Sequence, residues 1–430
     1  MKNFGISFFT FAVLLFAVSA FTQVIPALAQ EFSTVRFSKD FPGANIGKIE
    51  AVSGSETTFR AQMVAQHDEQ DLNRQATWFA FDVEPRGGTR EIHVVFWNFD
   101  GCYNGRQTRP SWKGALPVFS TDEGRNWTHF PRERCVWNED ERTMTLTVRF
   151  PEGVKSLRVA YTAMYTNREI CELADSVKDS PRVRQETLGA GQRLFTVTDF
   201  SVPEAEKRRF FIMARQHAWE AHTSWQADGL IRWLAGQKGI FDDAPVTPEE
   251  LCRKCVFYIV PIVDPLGAEK GWVRFNFLGY DVNRRWNEVD LNSEESRKTR
   301  PECWFVKKKI LELNSEKPLT LVVNLHGDTA TDYIDACGPE ALHDAFRAFE
   351  NRMIETNHYD PPDSRRVHII QTPNGPEPPT TFALWWDQQI PTIMMEEKVS
   401  ENHRLGRFRT ASDSQKRGVW LGINLEKTFH

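Results

Sequence analysis

The side chains best suited to chemistry are His217, Glu220 and His326. His217-Ala218-Trp219-Glu220 sets an imidazole and a carboxylate three residues apart, between an apolar run at 209–214 and a helical stretch at 223–234. Zinc takes nitrogen and oxygen ligands, and a hydrolytic zinc site keeps one position open for water. A His and a Glu at this spacing in a turn can reach one ion, but two ligands are too few and the pattern also arises by chance. The best third ligand is His326, which ends the apolar run Leu321-Val322-Val323-Asn324-Leu325 and precedes Gly327. A strand end is where an α/β sheet presents functional groups. Taken alone, His326 reads as a core or capping histidine. His222 reads as a helix-start histidine rather than a fourth ligand.

The elements that must position these residues follow from periodicity. From about residue 162 helical stretches alternate with apolar runs. Helices are expected at 168–177, 223–234 and 248–255. Thr247 is the expected N-cap of the last, with Pro248 at N1 and Glu249 and Glu250 in the first turn. Apolar runs at 209–214, 256–263, 319–325 and 391–395 read as buried strands. This predicts an α/β domain with a mainly parallel or mixed sheet over 162–430. The preceding stretch, 30–161, alternates with period two. Met144, Leu146, Val148 and Phe150 fall on one face of 143–150, and Ile92, Val94 and Phe96 on one face of 91–99. Similar runs at 77–83 and 157–161, with turn signals between them, predict an antiparallel β-sandwich. No catalytic constellation stands out in this front part.

Residues 1–29 form a third region. Lys2, the apolar run 8–20 and Ala27-Leu28-Ala29 match a secretory signal peptide, with Gln30 as the expected mature N-terminus. Val18-Ser19-Ala20 is a weaker cleavage site, and the alternative is an uncleaved anchor. The run is short for a spanning helix, and no later segment is apolar enough to span. The expected location is secreted or periplasmic. The net charge of -5 at pH 7 gives no sign of a nucleic-acid partner. The 7 cysteines would then meet an oxidising compartment. Cys102 and Cys135, the two in the front part, are the expected disulfide. The pairing of Cys171, Cys252, Cys255, Cys303 and Cys337 stays open, and an odd total leaves one over. Cys252-x-x-Cys255 lacks a second pair at zinc-ribbon spacing, which argues against a zinc site there.

Five ordered motifs carry a resemblance to zinc carboxypeptidases of the carboxypeptidase A type. They are His217-x-x-Glu220; Ile259-Val260-Pro261-Ile262-Val263-Asp264-Pro265; Asp281-Val282-Asn283-Arg284-Arg285-Trp286; Asn324-Leu325-His326-Gly327; and Trp385-Trp386-Asp387-Gln388-Gln389-Ile390 followed by Met394-Met395-Glu396, which looks like the last catalytic strand. Trp78-Phe79-Ala80-Phe81-Asp82-Val83-Glu84 and Pro117-Val118-Phe119-Ser120 are similar to the β-sandwich that precedes the catalytic domain in the cytosolic-carboxypeptidase-like branch. An export signal departs from that branch. So does the lack of a Tyr in 371–381, where many members place one.

The resemblance implies one zinc ion held by His217, Glu220 and His326, a ligand set typical of such enzymes. It implies that Glu396 is the general base, with Glu397 as rival, because the apolar strand before them gives no face to read. Arg274 would stabilise the tetrahedral oxyanion. Asn283 and Arg284 would bind the free C-terminal carboxylate of a peptide, for which the planar Arg fork is suited. The expected partner is a peptide or protein with a free C-terminus. The rivals are a zinc-dependent deacylase of small acylated amino acids and a non-enzymatic binding protein on the same fold.

Overall fold

The computed structural model describes residues 29–99, 101–103, 105–107, 114–356, 359–362, 366–371 and 380–430. The expected leader lies outside these residues except for Ala29, as does the Pro-rich stretch 373–379.

Two sheets dominate the front part. A six-stranded sheet includes Val35–Ser38, Ala80–Pro85, Leu157–Ala160 and Val118–Ser120. A five-stranded sheet has the order Cys135–Asn138, Thr143–Arg149, Glu91–Trp97, Thr58–Gln62, Ile49–Ala51. Alternation decides their inner faces: Met144, Leu146 and Val148 from one strand and Ile92, Val94 and Phe96 from its partner are all buried. They share one apolar cluster with Phe37, Phe79, Phe81 and Val83 of the other sheet. One pairing departs from the antiparallel expectation. Thr58–Gln62 runs parallel to Glu91–Trp97, because the chain between them crosses through the other sheet, and such a crossover is what a parallel pair requires. The same cluster continues into Tyr165, Ile170, Trp219, Ile262 and Val273, so packing does not break near residue 161.

The second part is a mixed eight-stranded sheet between helices. Its strands are β1 (Val183–Thr187), β2 (Arg193–Val197), β3 (Arg208–Ala214), β4 (Cys255–Val260), β5 (Leu321–Asp328), β6 (Tyr333–Cys337), β7 (His368–Ile369) and β8 (Thr392–Lys398), in the spatial order β1-β2-β4-β3-β5-β8-β6-β7. The four central strands β4, β3, β5 and β8 are parallel, while β2 and β6 join them antiparallel. All six residues of β4 and all seven of β8 are buried, as expected for strands covered on both faces.

The covering helices include α1 (Asn167–Val177), α2 (Ala221–Leu234), α3 (Pro248–Lys254), α4 (Pro301–Glu316), α5 (Thr380–Gln388) and α6 (Ala411–Thr428). Phe210 and Ile212 of β3 pack with Leu230 of α2 and Val419 of α6. Phe211 and Met213, on the other face, pack with Val306 and Ile310 of α4 and Leu384 of α5. The α2 and α6 backbones touch at Gly418, where a Cβ would fall 1.9 Å from the Gln226 carbonyl oxygen. The α3 start forms as expected: Thr247 and Glu250 make a reciprocal capping box that spans Pro248.

Three expectations are corrected. The stretch 385–388 belongs to α5 rather than to the last strand, with Phe382, Ala383 and Leu384 packed inward and Pro391 separating the two. The strand itself runs on to Lys398, past the apolar residues, because Glu396, Glu397 and Lys398 are buried too. Cys102 and Cys135 are not bonded, and all seven cysteines are free. They sit on different sheets, with the Cys102 thiol against the Leu72 carbonyl (3.3 Å) and Cys135 against the Met144 sulfur (3.1 Å). Burial pushes the Cys252 and Cys255 thiols up to about 12, opposite to the shift of a metal-binding or redox pair.

Candidate metal centre

The site lies where β3, β5 and β8 end. After Ala214 the chain turns through Arg215, a non-glycine residue in the left-handed region (φ 58°). Its guanidinium holds the turn by donating to the Ala218 and Tyr165 carbonyls. His217 and Glu220 close the turn backbone to backbone, Glu220 N–H to His217 C=O at 3.1 Å, and α2 begins at the next residue. The three-residue spacing thus brings both side chains to one side of a strand-to-helix turn. His326 arrives from the neighbouring parallel strand.

His217, Glu220 and His326 form a buried cluster whose candidate ligand atoms lie within 4.8 Å of one another. Nδ1 of His217 is 2.7 Å from Glu220 Oε1, and Nδ1 of His326 is 3.1 Å from Glu220 Oε2. The opposite ring nitrogens are held from behind. Nε2 of His217 meets Asp281 Oδ1 at 3.1 Å, and Nε2 of His326 meets Gln216 Oε1 at 2.9 Å. Gln216 is fixed in turn by Asn324 Nδ2 (2.7 Å) and by donating to the Val282 carbonyl (3.1 Å). Two imidazoles with Nδ1 turned to a shared carboxylate and Nε2 bound by an acceptor are the arrangement that outer partners impose on metal-binding histidines. A His2Glu donor set of this kind fits zinc.

The electrostatics agree. Burial alone would raise the Glu220 carboxyl, but the His217 and His326 imidazoles outweigh it and hold it well below the usual carboxylate range. Burial pushes His326 down, toward the neutral form a metal requires. For Asp281 burial again acts upward, and Arg274, His217 and Arg284 together hold it well below its ordinary value.

Glu396 stands beside His326 in register on β8 and shares its face of the sheet. Its Oε1 accepts from the Tyr333 hydroxyl at 3.3 Å, and its Oε2 is buried with no hydrogen-bond partner among the described residues. Burial, then the charges of Glu220 and Asp328, push its pKa well up. Glu397 points to the opposite face, where Gln226, Ser414, Arg409 and Arg417 surround it. His222 is the second residue of α2, and its Nε2 faces the Glu397 carbonyl (3.1 Å), outside the three-residue cluster.

Arg274 and Asn283 converge on Asp281: Arg274 Nε donates to Oδ2 at 2.6 Å and the Asn283 amide to Oδ1 at 2.8 Å. The Asn283 side chain is buried beside Met394, with its Oδ1 lacking a hydrogen-bond partner among the described residues. Arg284 donates to the Asn283 carbonyl (2.8 Å) and to the Tyr103 hydroxyl (3.3 Å). With Tyr280, Arg285 and Arg300 it lines a cleft that also contains Asp281. Sequence reasoning assigned no role to Asp281, although it opens a motif, or to Gln216, although it adjoins one, and it missed Tyr333 and Tyr103.

No family model matches the chain. Among curated proteins it is similar to mouse cytosolic carboxypeptidase 6, 27% identical over 265 residues that cover 58% of this chain and 46% of that one. It is also similar to bovine cytosolic carboxypeptidase 3, 24% identical over 327 residues that cover 70% and 30%. The chain spans about half the length, or less, of the curated relatives it matches. Among solved structures, a metallo-carboxypeptidase from Burkholderia cenocepacia aligns with a TM-score of 0.73 at 21% identity, covering 92% of this chain and 99% of that one. A metallo-carboxypeptidase from Pseudomonas aeruginosa, in complex with (2-guanidinoethylmercapto)succinic acid, aligns with a TM-score of 0.66 at 21% identity, covering 91% and 98%. The chain has the metallo-carboxypeptidase fold.

Proposed function

We propose that the chain is a zinc-dependent carboxypeptidase that removes the C-terminal residue of peptides or proteins. The observation that carries this reading is the turning of both imidazoles, Nδ1 toward Glu220 and Nε2 onto Asp281 and Gln216. When bound to His217, Glu220 and His326, zinc supplies a Lewis acid for the scissile carbonyl and makes a water acidic near neutral pH. The chain's own residues do the rest. Glu396, on the ligand face and short of hydrogen-bond partners, takes the proton of the attacking water and passes it to the leaving amine. Glu397, enclosed by Gln226 and two arginines, has no such freedom. Arg274 supplies positive charge for the developing oxyanion. Asn283 and Arg284 receive the substrate's terminal carboxylate, for which charge-assisted hydrogen bonds are strongest. In this reading residues 1–29 direct export, and the enzyme works outside the cytoplasm.

The test is a mass-spectrometric time course on matched free-acid and C-terminally amidated peptides, with and without chelator. Single residues should leave the free acid only, and chelation should stop the reaction. Equal cleavage of both peptides, or internal cuts, would favour a deacylase or endopeptidase. Hydrolysis by metal-free protein would overturn the zinc assignment.

A further inference from the structure

A side chain of the front part reaches the loop that carries Arg274. Gln66 lies on the two-residue strand Gln66–His67, paired with Arg74–Gln75 in a small four-stranded sheet. Its Oε1 accepts from the amides of Val273 (3.0 Å), Arg274 (2.7 Å) and Phe275 (2.9 Å), and its Nε2 donates to the Phe275 carbonyl (2.6 Å). Three successive backbone N–H groups converging on one oxygen form a concavity that favours negative charge. A neutral amide oxygen fills it here. Residues 273–275 belong to no helix or strand, and Gln66 is the side chain that binds all three of their amides. The Trp219 amide donates to the Val273 carbonyl (3.0 Å), and Phe275 bridges to Asp281.

The same hairpin holds the far side of this loop. The Glu69 amide donates to the Gly279 carbonyl (3.1 Å), and Glu69 Oε1 lies 3.3 Å from Arg285 Nη1. Gly279 has φ 85°, and a Cβ there would fall 2.7 Å from the Glu69 nitrogen, so the contact admits only glycine.

We infer that Gln66 is a positioning residue for the hydrolytic site: by fixing the backbone of 273–275 it aims the Arg274 guanidinium at Asp281, and through Asp281 it sets the His217 ring. The inference rests on the roles proposed above for Arg274 and the metal ligands. The chain of contacts is continuous: Gln66 to the Arg274 amide, Arg274 Nε to Asp281 Oδ2, and Asp281 Oδ1 to His217 Nε2. Without Gln66 the three amides lose their acceptor, and burying them unpaired is unfavourable, so the loop turns them elsewhere. Arg274 then leaves its place although no catalytic group has been touched.

The experiment is a double-mutant cycle on the full chain with Gln66→Met, which keeps the side chain's length without its amide, and Arg274→Ala. Two quantities are read: kcat and KM on a free-acid peptide, and zinc affinity by competition with a chromophoric chelator. Gln66→Met should lower kcat on the order of 10-fold, within the range for outer partners of metal sites. It should leave KM within about twofold, because an oxyanion contact acts only in the transition state. Zinc should bind several-fold more weakly. In the Arg274→Ala background the same substitution should add little to either loss, since coupled residues are not additive. Gln66→Glu, which keeps an acceptor for the three amides but loses the donor to the Phe275 carbonyl, should recover part of both. If Gln66→Met does not fold, Gln66→Asn carries the same cycle, its shorter side chain drawing the loop away. Equal losses in both backgrounds would mean that Gln66 acts through general stability and would overturn the inference. So would a folded variant with wild-type kcat and zinc affinity. A zinc-loaded wild type that cleaves no peptide would sink the proposed function instead, and the zinc arm of the cycle would still decide the role of Gln66.

Discussion

Glu396 and Glu397 are adjacent on β8, yet they look into two different regions. On the side of His326, Glu396 has one long hydrogen bond from Tyr333 and an oxygen with no hydrogen-bond partner among the described residues, and its pKa is driven up. On the other side, Glu397 takes a hydrogen bond from Gln226 and lies near Ser414, Arg409 and Arg417. Asp332 joins the same two arginines, and Lys398 pairs with Asp360 at 2.7 Å. Both regions are buried and charged. One surrounds its carboxylates with charged partners and ties α6 to the sheet. The other is left short of them, as the metal and proton-transfer roles proposed for it require. Because side chains on a strand alternate, a shift of one residue exchanges the two roles.

The widest separation between the two regions should appear in turnover. Glu396→Gln should keep fold and zinc content but cost roughly 10²–10⁴-fold in kcat, the usual contribution of a general acid–base. Glu397→Gln should change kcat far less and lower the melting temperature instead. Kinetics and melting curves on the two proteins check this. A reversed pattern would exchange the two regions and place the base on the arginine side.

Stability should show the converse. The Arg417 side chain is fully buried between Asp332 and Glu397, with its guanidinium over the Tyr359 ring. Arg417→Met should destabilise the fold by about 3–5 kcal/mol, the cost of leaving buried charge uncompensated. It should leave the zinc affinity of the surviving folded protein unchanged. Denaturant unfolding and a chelator titration measure the two. Loss of zinc affinity would show that the network supports the metal site and is not a separate structural region.

The sequence reveals these regions unequally. Alternation is enough to read Thr143–Arg149 and its buried face, and capping chemistry is enough for the start of α3. The ligand cluster is legible because His217 and Glu220 are local and His326 ends an apolar strand. The choice between Glu396 and Glu397 is not, since Met394 and Met395 before them are both buried and show no period. Tertiary packing decides which carboxylate is enclosed, by bringing Gln226 of α2, Arg409, and Ser414 and Arg417 of α6 to the face of Glu397. Gln66 is invisible for the same reason: its partners lie more than 200 positions away and are backbone amides, which leave no mark on residue type. The α5 segment misleads because a short apolar run with two Trp fits a helix or a strand equally well.

The smallest effect expected concerns pH, and it belongs to the arginine side. Burial alone would raise the Asp332 carboxyl, but Arg409 and Arg417 outweigh it and hold it at about 2, against an ordinary value of 3.8. A carboxyl whose pKa falls on folding stabilises the folded state above its unfolded pKa, and that stability is lost as pH falls through the folded value. At about 1.4 kcal/mol per pKa unit, the shift amounts to about 2 kcal/mol, present above pH ~5 and declining toward pH ~2. Other acids titrate in the same window, so the informative quantity is a difference. Asp332→Asn should be less stable than wild type at neutral pH, where its arginines lack a counter-charge. The gap between the two proteins should narrow by about 2 kcal/mol as pH is lowered from ~5 to ~2. Denaturant unfolding across that range measures it. Parallel stability curves would mean that Asp332 titrates alike in the folded and unfolded chain, and the arginine side would then owe its stability to packing rather than to paired charge.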